Sequence, residues 1–262
     1  MINVIVDFPY CRSITKDIMF EQFTHSQLAL IGLIFIWTGF VRSGLGFGGA
    51  ALGLPLLLFL DNRPVYWLPI IGTHLLFFSG LTLRTRLHNV DWVFLKRASM
   101  YVLPAAVIGV LGLLNLPNQW LVIFIYSVTI FYGVMWLLNL ELNSKNPWLD
   151  RVLLILGGYV AGTSLSGAPL MVAVFMRHIP FPQLRNTLFV LWFVLVSIKM
   201  LTFILLRVEL HFYSAAVLIP IAAIGHVIGL RTHDLILQND QLFKRLIGGV
   251  LILICILGLQ RI

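Results

Sequence analysis

The sequence predicts an all-α polytopic membrane protein of two inverted-topology repeats, each a glycine-rich helical hairpin followed by three transmembrane helices. Three observations predict it. Hydrophobic residues make up 60% of the 262 and charged residues only 11%, against about 25% charged in a soluble domain. A nearly uncharged, glycine-rich stretch, Thr38–Pro55, breaks the apolar pattern and recurs in altered form at Gly158–Pro169. Further short matches then follow in the same order through both halves. Gly39-Phe-Val pairs with Gly158-Tyr-Val, Pro55-Leu with Pro169-Leu, and Thr73 with Thr187. Pro104-Ala-Ala-Val-Ile-Gly109 pairs with Pro220-Ile-Ala-Ala-Ile-Gly225, and Asn118-Gln119 with Asp240-Gln241. The offset stays near about 116, the mark of an internal duplication.

The apolar runs lie at about 27–41, 45–60, 65–83, 93–114, 118–140, 152–163, 165–176, 186–206, 212–230 and 244–259. Several reach the roughly 20 residues that span a bilayer. The pairs 27–41/45–60 and 152–163/165–176 are shorter and hinge on small residues, as steep crossings or as half-length helices. Residues 27–145 then form one membrane repeat and 146–262 the other. Residues 1–26 carry Asp7, Arg12, Lys16, Asp17 and Glu21 and read as a polar arm, since those charges interrupt any signal-peptide apolar region.

A hairpin ends on the side where it began, and three further crossings turn the second half over. The basic loop with Arg84, Arg86, Lys96 and Arg97 is expected in the cytoplasm, with Lys145, Arg151, Arg177, Arg185, Arg231, Lys244 and Arg245. The loops at Asn115–Asn118 and Arg207–His211, and both termini, fall outside. The net charge of +8 is dispersed among such loops without a basic run or basic–aromatic cluster, so it does not point to nucleic acid. Cys11 and Cys255 stand far apart with no ligand spacing, which argues against a disulfide or zinc site.

Broken hydrophobic segments at matching places in two halves suit a transporter, because freed backbone groups at membrane depth must line a cavity or be buried in protein. Two hairpins from opposite faces bring Arg42–Gly49 and Thr163–Gly167 together, with helix N-termini aimed at the centre, a setting for an anion. Arg42, flanked by the glycines of its turn, offers a planar donor fork, and the competing reading is a snorkelling arginine. Lys199 is the one charge within Val190–Leu206 and is either a second cation of the site or a snorkelling side chain. His74 and His226 could relay protons or simply pack against a neighbouring helix. Ser43, Thr163, Ser164 and Ser166 can donate to an oxyanion, or bond their own helices. Gly44, Gly46, Gly48 and Gly167 shape the two turns. Asn186 and Thr187 open the long span of the second half, with Thr73 as the first-half counterpart, and helix capping explains them as well. Most glycines also fit close helix packing, as in Gly44-xxx-Gly48, Gly49-xxx-Gly53 and Gly225-xxx-Gly229. Pro104/Gly109 and Pro220/Gly225 read as kinks or hinges.

These motifs resemble a known family. Gly44-Leu-Gly-Phe-Gly-Gly-Ala-Ala-Leu-Gly-Leu-Pro-Leu, Thr73, Asn89-Val-Asp91-Trp92 and Pro104…Gly109-Val-Leu-Gly112 are similar to the first repeat of the TauE/SafE sulfite exporters. Gly162-Thr-Ser-Leu-Ser-Gly-Ala-Pro169-Leu, Arg185-Asn-Thr187 and Gly225…Gly229-Leu-Arg231 are similar to the second, and the likeness runs over about 27–260. The resemblance implies a permease of the bacterial inner membrane exporting sulfite, sulfoacetate or a related small anion. The Thr-Ser-Leu-Ser turn departs from a pattern usually richer in glycine, and Arg42 and Lys199 match no family motif.

On this reading the partners are a small anionic substrate, with protons as a candidate coupling ion, and the lipid bilayer. No cofactor, metal or nucleic acid is expected. ATP hydrolysis lacks its Gly-x-x-x-x-Gly-Lys-Ser/Thr loop. A membrane enzyme built on Ser164 or Ser166 with His226 lacks an orienting third group, and an assembly subunit would leave the intramembrane cations without a role.

Overall fold

The computed structural model describes residues 22–45, 48–84, 86–140, 146–238 and 240–262. Among them are ten α-helices and no strand. The first half supplies α1 (His25–Leu45), α2 (Gly49–Leu60), α3 (Pro64–Leu83), α4 (Trp92–Asn115) and α5 (Asn118–Leu137). The second supplies α6 (Pro147–Ser164), α7 (Ala168–His178), α8 (Phe181–Leu205), α9 (Phe212–Gln238) and α10 (Asp240–Leu259). Seven of these, α1, α3, α4, α5, α8, α9 and α10, are long and apolar enough to cross a membrane. The second arms of the hairpins are short, 12 residues in α2 and 11 in α7. At 1.5 Å per residue each covers roughly 17 Å, little more than half of a bilayer core.

The first arms are longer than the sequence suggests. α1 runs through Arg42 and Ser43 to Leu45, so Arg42 stands in its last turn and not in the connection. α6 begins at Pro147, behind an Asn146 side chain that accepts from the Trp148 amide. Asp150 lies before the apolar run that opens at 152. In the fold it accepts from Arg177, and its other oxygen is 2.7 Å from His178 Nε2, both at the end of α7. These bonds close the open end of the second hairpin. Asp150→Asn is expected to lower Tm by a few degrees in detergent, since a partly exposed pair contributes only about 1 kcal/mol.

The loops gather at two ends. At one, Arg63 donates to Gln22 (3.0 Å), Asn118 donates to the Asn62 carbonyl (2.8 Å), and the tilted rings of Tyr66 and His211 meet at 4.3 Å. At the other, Asn89 donates to the Pro182 carbonyl (3.0 Å) and Phe94 stacks on His178 at 5.0 Å. Continuous α3 runs from the first end to the second, about 30 Å for its 20 residues. The α1–α2 hairpin therefore opens at the first end and the α6–α7 hairpin at the second. The second end also carries Arg84, Arg86, Lys96, Arg97, Arg151 and Arg177.

Long-range packing follows one rule. α1 lies along α9 and α4 along α6, while α3 pairs with α8 and α5 with α10. Exchanging the first five helices with the second five leaves this pairing unchanged. Glycines make the two closest crossings. A Cβ at Gly225 would overlap the Ile36 carbonyl oxygen, and one at Gly229 that of Phe40. At the other crossing, a Cβ at Gly109 would overlap the Tyr159 carbonyl, and one at Gly162 that of Ala106. Helices in lipid gain little from apolar transfer, so they associate through such backbone approach. The packing reading of Gly225-xxx-Gly229 thus holds, and Pro104 and Pro220 stand inside continuous helices. Pro55 lies mid-way along α2 whereas Pro169 is in the first turn of α7, so this matched pair occupies different helix positions.

Large apolar side chains stay exposed on the long helices, among them Met100, Ile108, Trp120, Leu201, Ile224 and Leu253. Such an extent of apolar surface belongs against hydrocarbon. Inside, the two larger apolar clusters form, one around Phe35, Trp67 and Phe203 and the other around Leu95, Met171 and Phe175.

Candidate functional site

Where the two clusters meet, both hairpin turns face one cavity of about 30 Å³, above the space one water needs. Gly48, Gly49 and Ala50 reach it from the start of α2, and Ala161, Leu165 and Ala168 from the second turn. α1 contributes Arg42, α3 contributes Leu75 and Ser79, and α8 contributes Phe189, Trp192, Leu195 and Val196. No carboxylate is among the described lining residues.

Arg42 is only 6% exposed. Its guanidinium carbon sits 4.0 Å from the centroid of the Phe78 ring, and buried Nη2 has no protein hydrogen-bond partner. A stacked guanidinium keeps its in-plane donors free, so the fork is held rigid with donors to spare. The first α2 residue to bond back within the helix is Leu52, onto Gly48. The earlier amides of α2 lie at the helix start, where N–H groups have no partner within the helix and the dipole favours negative charge. Gly48 makes this approach at φ 84°, a left-handed conformation that side chains resist. The Trp192 indole N–H is also buried without a partner. Taken together the described lining is apolar with unpartnered donors on Arg42 and Trp192, chemistry suited to an anion.

Next to Arg42, the Ser43 hydroxyl and His226 Nδ1 form a hydrogen bond. The His226 ring lies 5.0 Å from Phe78, on the ring that Arg42 also covers. Gly44 is buried where α1 meets Gly229 of α9. His74 is buried one turn before Phe78 on α3. Its Nε2–H donates to the Ala215 carbonyl at 2.8 Å, the bond expected of a packed histidine.

The hydroxyls at the second turn are already committed. Thr163 donates to its own helix at Tyr159 and Val160, Ser164 to Val160, and Ser166 to the Ser164 carbonyl. Their protons close the backbone of α6 and are not available to a ligand. Thr163→Val and Ser166→Ala are accordingly expected to leave anion affinity within about threefold, by isothermal titration. Gly167 precedes α7, and a Cβ there would overlap the Gly157 carbonyl.

Asn186 and Thr187 do not open a helix. α8 starts at Phe181 behind Pro180, which places them in its second turn, because proline at the first helical positions is preorganised for a start. Thr187 donates to the Gln183 carbonyl and accepts from the Asp91 amide, which positions α4. Thr73 makes the equivalent bond to Pro69 within α3. Lys199 is fully buried, and its ammonium donates to the Thr163 carbonyl at 3.1 Å. Of the sequence-derived residues, Arg42 and Gly48 line the cavity directly. Gly46 lies outside the described residues, as do Lys145 and residues 1–21 of the N-terminal arm.

Three residues were not anticipated from sequence. Ser79 and Trp192 line the cavity, and Arg185 donates from Nη2 to the Ser43 carbonyl at 3.3 Å. Trp192 carried a signal, being a tryptophan in mid-span where interfacial anchoring cannot apply.

Residues 30–257, most of the chain, match the family model described as sulfite exporter TauE/SafE. The chain belongs to that family. No curated protein and no solved structure matches it. A TauE/SafE protein with seven spanning helices is a multi-pass membrane protein and a transporter of the anion-exporter type, not an enzyme. Among the described residues no group of histidine, cysteine, aspartate and glutamate could hold a metal ion.

Proposed function

We propose that this TauE/SafE transporter exports a sulfur oxyanion, sulfite or a small organosulfonate, through the cavity between its two hairpin turns. The observation that carries the reading is the buried Arg42 fork over Phe78, with a free donor beside the first turn of α2. A sulfonate or sulfite presents oxygens that a guanidinium and helix-start amides bind in charge-assisted hydrogen bonds. The apolar remainder of the lining takes a short carbon tail.

In this reading residues 27–145 and 146–262 are inverted repeats. Hairpins opening at opposite ends, and a helix pairing unchanged by exchange of the halves, support it. Alternating access follows as rocking of one repeat against the other around Arg42. The Arg-rich end faces the cytoplasm of a bacterial inner membrane by the positive-inside rule. His226, bonded to Ser43 and sharing the Phe78 ring with Arg42, is the group placed to couple a proton to the anion.

Counterflow tests the function. Proteoliposomes loaded with unlabelled sulfite should accumulate radiolabelled sulfite in a saturable way, and Arg42→Ala liposomes should not. Absence of counterflow with sulfite and sulfoacetate alike, or equal counterflow in Arg42→Ala, overturns the assignment.

A further inference from the structure

α8 presents Arg185, Phe189, Trp192, Val196, Lys199 and Phe203 at alternating steps of four and three, which places them on one face. The middle of this face, Phe189, Trp192 and Val196, lines the cavity. A cation stands on either side of it, and each donates to a carbonyl. Arg185 reaches Ser43 at 3.3 Å and Lys199 reaches Thr163 at 3.1 Å. Ser43 is in the last turn of α1 and Thr163 in the last turn of α6. The final carbonyls of a helix lack intrahelical partners and favour positive charge. One helix thus caps the first arm of both hairpins.

Stability does not account for Lys199. It is fully buried, and no salt bridge holds it among the described residues. An ammonium taken out of water costs several kcal/mol, more than one bond to a neutral carbonyl returns. The turn it caps also stores backbone strain, since Leu165, not a glycine, follows α6 at φ 60°.

We propose that Arg185 and Lys199 are positioning residues for transport, tying both turns that bound the cavity to a single helix. The inference rests on the anion reading of the cavity. An anion beside Val196 lies one helical turn from Lys199 and competes with the Thr163 carbonyl for the ammonium. When the ammonium swings toward the anion, α6 loses its cap and the strained turn at Leu165 is freed to move. Substrate arrival and turn opening become one event.

The test uses full-length protein with Cys11 and Cys255 replaced by alanine, comparing Lys199→Met and Lys199→Arg with the parent. Because the ammonium exchanges the Thr163 carbonyl for the anion, gain and loss offset, and Lys199→Met should keep sulfite affinity within about threefold while lowering counterflow at saturating sulfite at least about tenfold, the split expected of a positioning role. Ser166→Cys, buried in the parent, should be alkylated at least about tenfold faster when Lys199→Met is added, because the turn opens locally. Lys199→Arg should restore part of both. Unchanged counterflow and labelling in Lys199→Met would reduce Lys199 to packing, and affinity falling in step with turnover would make it a binding residue. Either result overturns the proposal. If sulfite fails to bind even the parent, the functional reading fails, and the labelling rates still decide the role of Lys199.

Discussion

Arg42→Ala is expected to weaken binding of the transported anion roughly 100-fold, about 3 kcal/mol, the upper range for a hydrogen-bonded buried charge. The variant removes the one cation among the described lining residues and leaves the ligand to neutral donors. Folding should survive, because the guanidinium contributes a stack on Phe78 and leaves Nη2 without a partner. Arg42→Lys should recover only part of the affinity, since an ammonium neither stacks as a plane nor offers a fork. Isothermal titration of purified protein with sulfite checks both. Equal affinity in wild type and Arg42→Ala would remove Arg42 from the site.

The second large effect is structural. Gly225→Ala should cost at least about 1–3 kcal/mol and reduce the yield of folded protein, because the added methyl meets a backbone carbonyl that cannot rotate away. The contact is the Ile36 carbonyl of α1, at the crossing that sets where Arg42 and Ser43 stand against His226. Gly249→Ala supplies the control, since nothing lies within 4 Å of a Cβ there. It should leave Tm unchanged or raise it slightly, as alanine is the better helix former. Fluorescence-detected size-exclusion profiles and Tm in detergent separate the two variants. Similar behaviour of both would contradict the packing assigned to the α1–α9 crossing.

The fold was readable because lipid imposes a simple code. Apolar runs long enough to span were visible directly, and glycine, serine and proline marked both hairpin turns. What misled was tertiary neutralisation. The apolar run opens at 152, yet Arg177 and His178 arrive from α7 to pair with Asp150, and α6 begins at Pro147. Arg185 lies just before the apolar run that opens at 186, in a stretch with prolines on either side of Phe181. Those prolines are helix-start chemistry, which carries Arg185 into the second turn of α8.

The site was legible in part. An isolated arginine between glycines stood open to a site role or to snorkelling, and the fold brings Arg42 to the cavity wall. The hydroxyls of Thr163, Ser164 and Ser166 stood at the right turn, yet residue type cannot say where a proton is spent. Only the backbone geometry shows that each is used within the chain. Glycines posed the same difficulty, for sequence shows that a helix can be approached closely but not which helix approaches.

The central claim is that the two turns and Arg42 form one anion site, and ligand-dependent thermal stability tests it most directly. Detergent-purified protein would be melted across concentrations of sulfite, thiosulfate, sulfoacetate, taurine, acetate and chloride, because a ligand that binds only the folded state raises Tm by mass action. The account predicts a saturable rise with sulfite or a sulfonate anion, smaller or absent with chloride, and lost in Arg42→Ala. No rise with any of these anions, or the same rise in the variant, would contradict it.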